Sequence, residues 1–132
     1  MAAALELAAD DIGASVRSLQ ILDDILDRIP LPMTVGNNDG WVACSKAFSD
    51  LLGWSRAQLE VTPWKQIIHE GDHDSTWAEC LRVVNENVIG VTENRYLSTD
   101  GNYHRLRWRW GPPGKSGYTV AVAEDLGVAD DA

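Results

Sequence analysis

Apolar residues recur on a sevenfold rhythm at the start of the chain. Leu5, Ile12, Leu19 and Leu26 fall seven apart, and Ala8, Ser15, Leu22 and Ile29 form a companion row. Such a/d spacing predicts an amphipathic helix over residues 1–29. Val16, Ile21 and Ile25 widen the stripe beyond a narrow coiled-coil seam. The helix can therefore cover its own domain, pair with a second copy, or do both. Leu5, Ile12, Leu19, Leu22 and Leu26 are the candidate dimerisation residues. Pro30 and Pro32 stop the helix, because proline lacks the amide donor and its ring clashes with the preceding turn.

From Met33 the period changes to two. Met33 to Gly36 alternates, Asn37-Asn38-Asp39-Gly40 is a strong turn signal, and Trp41 to Cys44 supplies the partner strand of a hairpin. Ser45 is placed to cap a short helix through Phe48, Leu51 and Leu52, which Gly53 closes. Ser55 and Gln58 have capping-box spacing for a second helix, and Pro63 starts a third segment through Trp64, Ile67 and Ile68. After Asp74, the residues Trp77, Cys80, Leu81, Val84 and Val88 recur at helical spacing, which predicts a longer helix buried on that face and ended by Gly90. Three strands follow, over 91–98, 103–110 and 118–123, the first two joined by Asp100-Gly101. All strand connections except the middle one are hairpin-like. The fold class is α+β: a largely antiparallel sheet with short helices on one face, preceded by the amphipathic helix.

Charge sharpens this picture. The 132 residues carry a formal net charge of −9. Residues 1–30 hold six acids against Arg17 and Arg28, and residues 124–132 hold four acids and no base. Residues 31–123 are close to neutral, with ten acids and nine bases. Acidity at the flanks and the lack of a basic face argue against nucleic acid as a partner. The first residues lack the basic start of a signal peptide, and no apolar run approaches the ~18 residues needed to span a membrane. Cys44 and Cys80 have no close-spaced partner and read as buried thiols in a reducing compartment. These features place the protein in the cytoplasm.

The ordered set of Ile29-Pro30-Leu31-Pro32, Asp39-Gly40, Ala47-Phe48, Leu51-Leu52-Gly53-Trp54-Ser55, Ile68-His69 with Asp72, Glu93-Asn94-Arg95-Tyr96, Asp100-Gly101, Tyr103 through Trp108 and Ala123-Glu124-Asp125-Leu126 resembles the PAS (sensory-box) family. The resemblance covers residues 30–126 and leaves 127–132 as an acidic tail. It implies a PAS fold with a five-stranded antiparallel sheet. It also implies a sensory, signal-transducing role without catalysis, as in two-component systems, with dimerisation and an effector such as a kinase or regulator outside this chain. Two positions depart from the family pattern. Ser45-Lys46 stand where members commonly have Asn before the Ala-Phe pair, and Gly127 stands where many have Thr.

Three chemical alternatives each depend on particular residues. His69-Glu70-Gly71-Asp72-His73 fits H-E-x-x-H, which binds zinc when one helix presents both imidazoles. Here Gly71 and Asp72 place the string across a helix boundary, so a surface loop is the expectation and a small metal-dependent hydrolase the remote alternative. Family members that bind haem use a His in the long helix, but residues 75–88 contain none, and His73 lies one turn too early. The flavin-binding branch uses a Cys in the third short helix, and residues 61–68 contain none. No cofactor is implied.

Along Tyr103–Trp110, period two sends Tyr103, Arg105, Arg107 and Arg109 one way and His104, Leu106, Trp108 and Trp110 the other. The Arg row is expected to face outward, with Asp23, Asp24 and Asp27 of the first helix as candidate partners. By analogy with the family, Thr119, Ala121 and Ala123 face inward opposite Trp108. That arrangement leaves room for a small apolar or aromatic ligand, with Trp64, Ile67, Trp77, Leu81, Tyr96, Leu106 and Trp108 as candidate walls. The alternative is a ligand-free interaction and dimerisation domain whose tryptophans are only core.

Overall fold

The computed structural model describes residues 17–37 and 40–129; Leu5, Ile12 and the turn residues Asn38 and Asp39 lie outside them. Residues 17–28 are helical (α1) and the helix ends before Pro30. Strands β1 (Met33–Asn37) and β2 (Gly40–Cys44) pair antiparallel with a register shift between Val35 and Gly36.

Local chemistry sets the short helices. Helix α2 (Lys46–Leu52) starts where the Ser45 side chain accepts from the Phe48 amide, and stops at Gly53 in the left-handed region. The Ser45 hydroxyl also donates to the Leu31 carbonyl and accepts from the Met33 amide, both at 2.9 Å. One buried side chain thereby caps a helix and ties down the start of β1. Helix α3 (Arg56–Val61) has the full capping box, Ser55 with Gln58. Helix α4 (Trp64–Ile67) leads to a 3₁₀ turn at Glu70–Asp72 and then to α5 (His73–Glu86).

Two expectations about α5 need correction. The helix ends at Asn87 with φ 54, not at Gly90. Asn tolerates the left-handed C-cap, which releases Gly90 to begin the next strand. Nor is the Trp77–Leu81–Val84 stripe buried: these side chains are 55%, 45% and 53% exposed, while Thr76 and Val83 are buried. The helix meets the sheet along the Thr76–Val83 line. Its apolar stripe instead faces a cavity.

Strands β3 (Gly90–Leu97), β4 (Tyr103–Trp110) and β5 (Thr119–Val128) complete an antiparallel sheet in the order β2-β1-β5-β4-β3. Strand β5 runs past the expected end at 123. A bulge between His104 and Leu106 lets it continue pairing to Val128. The core gathers Phe48, Leu52, Leu59, Ile67, Leu106 and Trp108 between the sheet and the short helices.

Helix α1 packs on this body. Leu26, a candidate dimerisation residue, is 1% exposed and is spent on its own domain. Leu22 is half-buried, and Leu19, Ile21 and Ile25 remain outside. The Arg row does face away from the core, and the acids expected to meet it are engaged by other arginines. Arg107 lies 3.6 Å from Glu93 and from Glu124 on the flanking strands. Asp23 and Asp27 instead pair with Arg56 on α3, each at 2.7 Å, and Asp24 pairs with Arg28 on its own helix. The Arg56 pairs join elements that only the folded chain brings together.

Candidate functional site

Period two carries Thr92, Asn94 and Tyr96 of β3 to the inner face of the sheet, and all three are buried. On β4 the same rule brings Leu106, Trp108 and Trp110 inward. On β5 it brings Thr119, Ala121 and Ala123, whose small side chains leave room. Between this face and α5 lies a cavity of about 560 Å³, within the size range of small-molecule sites.

Aromatic rings fix its shape. Phe48 makes edge-to-face contacts with Trp41, Tyr96 and Trp108 at centroid distances of 5.7, 5.8 and 5.4 Å. Trp41 stacks on Tyr96 at 6.3 Å. These pairings hold Tyr96 and Trp108 rigidly in the floor. Of the expected walls, Trp64, Trp77, Leu81, Tyr96 and Trp108 line the cavity. Ile67 and Leu106 do not. They are 6% and 0% exposed and sit behind it in the core. Leu106 is displaced because Trp108, two residues on, takes the cavity-facing place.

The sequence reading missed the polar part of the lining. Asn94 donates through Nδ2 to Thr76 Oγ1 on α5 at 3.1 Å, and Trp110 Nε1 donates to Thr92 Oγ1 at 3.1 Å. Asn94, at 2% exposure, keeps its Oδ1 without a partner, and Trp108, at 4%, keeps its Nε1 without one. Strand alternation was the available signal, since Thr92 and Asn94 share the face of Tyr96. Their polarity masked it.

Burial pushes the Cys44 thiol up to about 11 and raises that of Cys80, which lines the cavity. Both thiols are therefore held protonated, a poor state for a nucleophile.

The H-E-x-x-H string has a structural use. His69 Nδ1 accepts from the Gly71 amide at 2.9 Å, and His73, the first residue of α5, donates from Nε2 to the Ile68 carbonyl at 2.8 Å. The two imidazoles thus belong to different elements, and one ring nitrogen of each is engaged by backbone. Between them, Asp72 accepts from the Arg95 amide and guanidinium at 2.8–2.9 Å. The segment lies at the surface, as expected, and is anchored to the fold by these bonds. Among the described residues no group of three or more His, Cys, Asp or Glu is placed to hold a metal ion, and no helix is long and apolar enough to cross a membrane.

An antiparallel five-stranded sheet with short helices over its inner face, and a cavity beneath the longest of them, defines a class of small α+β domains. The family model for the PAS fold matches residues 42–122, more than half of the chain. The chain belongs to the PAS-fold family. No curated protein sequence matches it. Among solved structures, it is similar to the PAS domain of a protein from Colwellia psychrerythraea, with 19% identity, TM-score 0.70, and coverage of 83% of this chain and 97% of that one. A domain of a sensory-box sensor histidine kinase/response regulator from Geobacter sulfurreducens gives 15% identity, TM-score 0.65, and coverage of 82% and 94%. The LOV domain of a blue-light-activated histidine kinase from Erythrobacter litoralis gives 17% identity, TM-score 0.61, and coverage of 76% and 99%.

Proposed function

We propose that this PAS domain is a non-catalytic sensory module of the cytoplasm. It binds a small apolar or aromatic molecule beneath α5, pairs with a second copy through the exposed side of α1, and relays its state to an effector protein such as a histidine kinase. The cavity carries this reading: about 560 Å³ walled by indole rings, with the apolar stripe of α5 turned toward it and not into the core. Signalling in such a module is a shift between packing states, driven by the difference in ligand affinity between them. The similar domains of sensor histidine kinases support the choice of effector.

A ligand-free interaction domain is the second reading. Leu19, Ile21 and Ile25, at 66%, 61% and 45% exposure, favour it, because they offer an apolar surface that needs no ligand. Native mass spectrometry against the denatured mass separates the two. A dimer carrying extra mass that is lost on denaturation is the expected result, with Leu19→Asp giving folded monomers. A dimer with no retained mass, and no small molecule bound on titration, moves the function to the second reading.

A further inference from the structure

We infer that the ligand of the cavity is an aromatic monoanion, a flat ring system bearing one carboxylate that pairs with Lys65 at the rim. This rests on the reading of the cavity as a ligand site. It goes beyond that reading by naming the charge recognised and the residue that recognises it.

The distribution of charge around the cavity leads there. In a chain of net charge −9, no acid among the described residues lines the cavity, and Lys65 is the one charged side chain that does. Lys46, Arg28, Arg56, Arg82 and Arg95 each reach a carboxylate at 2.5–2.9 Å. Lys65 pairs with none of the described carboxylates. Its ammonium lies instead over the Trp64 ring, 5.7 Å from the centroid, and such a contact is weak at an exposed site. A carboxylate delivered to this rim supplies the partner that the surrounding lining does not.

Depth decides how the ligand lies. Lys65 is the second residue of α4 and is exposed, whereas Tyr96 and Trp108 at the floor are each 4% exposed. The cavity therefore runs from a solvent-facing cation to an apolar floor. A carboxylate pushed to the floor loses its water without a counter-charge. At the rim it keeps solvent and gains the ammonium. The rings point inward, where Trp41, Trp77 and Trp110 line the space and offer surfaces to a flat π system. A cationic ligand meets the reverse, repulsion by Lys65 and no acid among the described lining residues.

Local structure holds the cation in place. The Ile68 amide donates to the Trp64 carbonyl at 2.9 Å and closes the single turn of α4. The Trp64 ring packs edge-to-face against His73, with centroids 5.4 Å apart, and His73 is itself tied to the Ile68 carbonyl at 2.8 Å. The indole beneath the ammonium is thus fixed where α4 meets α5, and only the flexible stem of Lys65 has to move to meet an anion.

The test titrates the intact protein by calorimetry with three probes that share one ring system: 2-naphthoate, 2-naphthamide and 2-naphthamidine. The carboxylate is expected to bind about fivefold tighter than the neutral amide, the upper end of what a solvent-facing ion pair contributes, and the amidinium weakest. Added salt should shrink that margin. Lys65→Met should remove it without weakening the amide, which shows that the cavity is intact, and Lys65→Glu should bring the amidinium ahead of the carboxylate. No preference for the carboxylate, or a preference that survives Lys65→Met, overturns the anion reading and leaves the aromatic ligand site standing. A molecule retained by the native protein that lacks an acid group does the same. No binding by any probe, with no retained mass in the native protein, overturns both.

Discussion

A methyl group added at Gly90 would place its carbon 2.3 Å from Val83 Cγ2, well inside van der Waals contact. Val83 is 0% exposed and branched at Cβ, so it cannot swing aside. Gly90 has no positive φ to protect; its role is to let α5 approach β3. Gly90→Ala is therefore expected to cost about 1–3 kcal/mol, and to cost clearly less in a Val83→Ala background. Chemical denaturation of the four proteins in that cycle checks it, and additive effects would refute the steric account. Residues whose work is local were legible before folding: Ser45, Gly53 and the Ser55–Gln58 pair each act within a few positions of themselves. Asn94 was not, because an inward polar residue on a strand looks like an outward one until the helix carrying Thr76 is set above it.

The joint between α1 and the domain shows how unlike two contacts of one helix can be. Leu26 is buried, whereas the Arg56 pairs with Asp23 and Asp27 involve carboxylates that are 65% and 51% exposed. Removing buried methyl groups costs about 2–5 kcal/mol, while exposed ion pairs are screened and contribute about 0.2–1 kcal/mol. Leu26→Ala is expected to loosen α1 far more than Arg56→Ala, read as faster proteolytic cleavage within 17–28 and a lower denaturation midpoint. The reverse order would mean that the Arg56 clamp holds the helix. The heptad rows announced an apolar helix, but they could not say which member faces inward, since Leu19 and Leu26 occupy equivalent positions. Helix α5 was misread for a related reason. A stripe facing a cavity and a stripe facing a core have the same spacing, and only the small residues on β5 hinted at the difference.

At the scale of the molecule, acid sensitivity follows from the corner joining the 3₁₀ turn to β3. Burial alone would raise the Asp72 carboxyl, but hydrogen bonds from the Arg95 side chain and amide outweigh it and hold it below the ordinary 3.8. A carboxyl lowered in the folded state stabilises fully above the unfolded value, and that contribution is lost as pH falls through the folded one. Asp72→Asn is expected to cost about 1–3 kcal/mol at neutral pH. The gap to the wild type should close as the solution is acidified past the carboxylate range. Denaturation midpoints across that range measure it, and a gap independent of pH would show that the charge of Asp72 contributes nothing.

Strand order has a further consequence, in time. Strand β1 lies between β2, its immediate successor, and β5, the last strand, with Met33 set against Val122. The hairpin β1–β2 and the meander β3–β4–β5 can form from neighbouring residues. The seam between them closes a loop of most of the chain, and such long-range pairing is slow to nucleate. On the ribosome, one edge of β1 must wait unpaired until β5 emerges, open to capture by any other strand. Synthesis therefore carries a window of aggregation risk that ends only when Thr119–Val128 has left the exit tunnel.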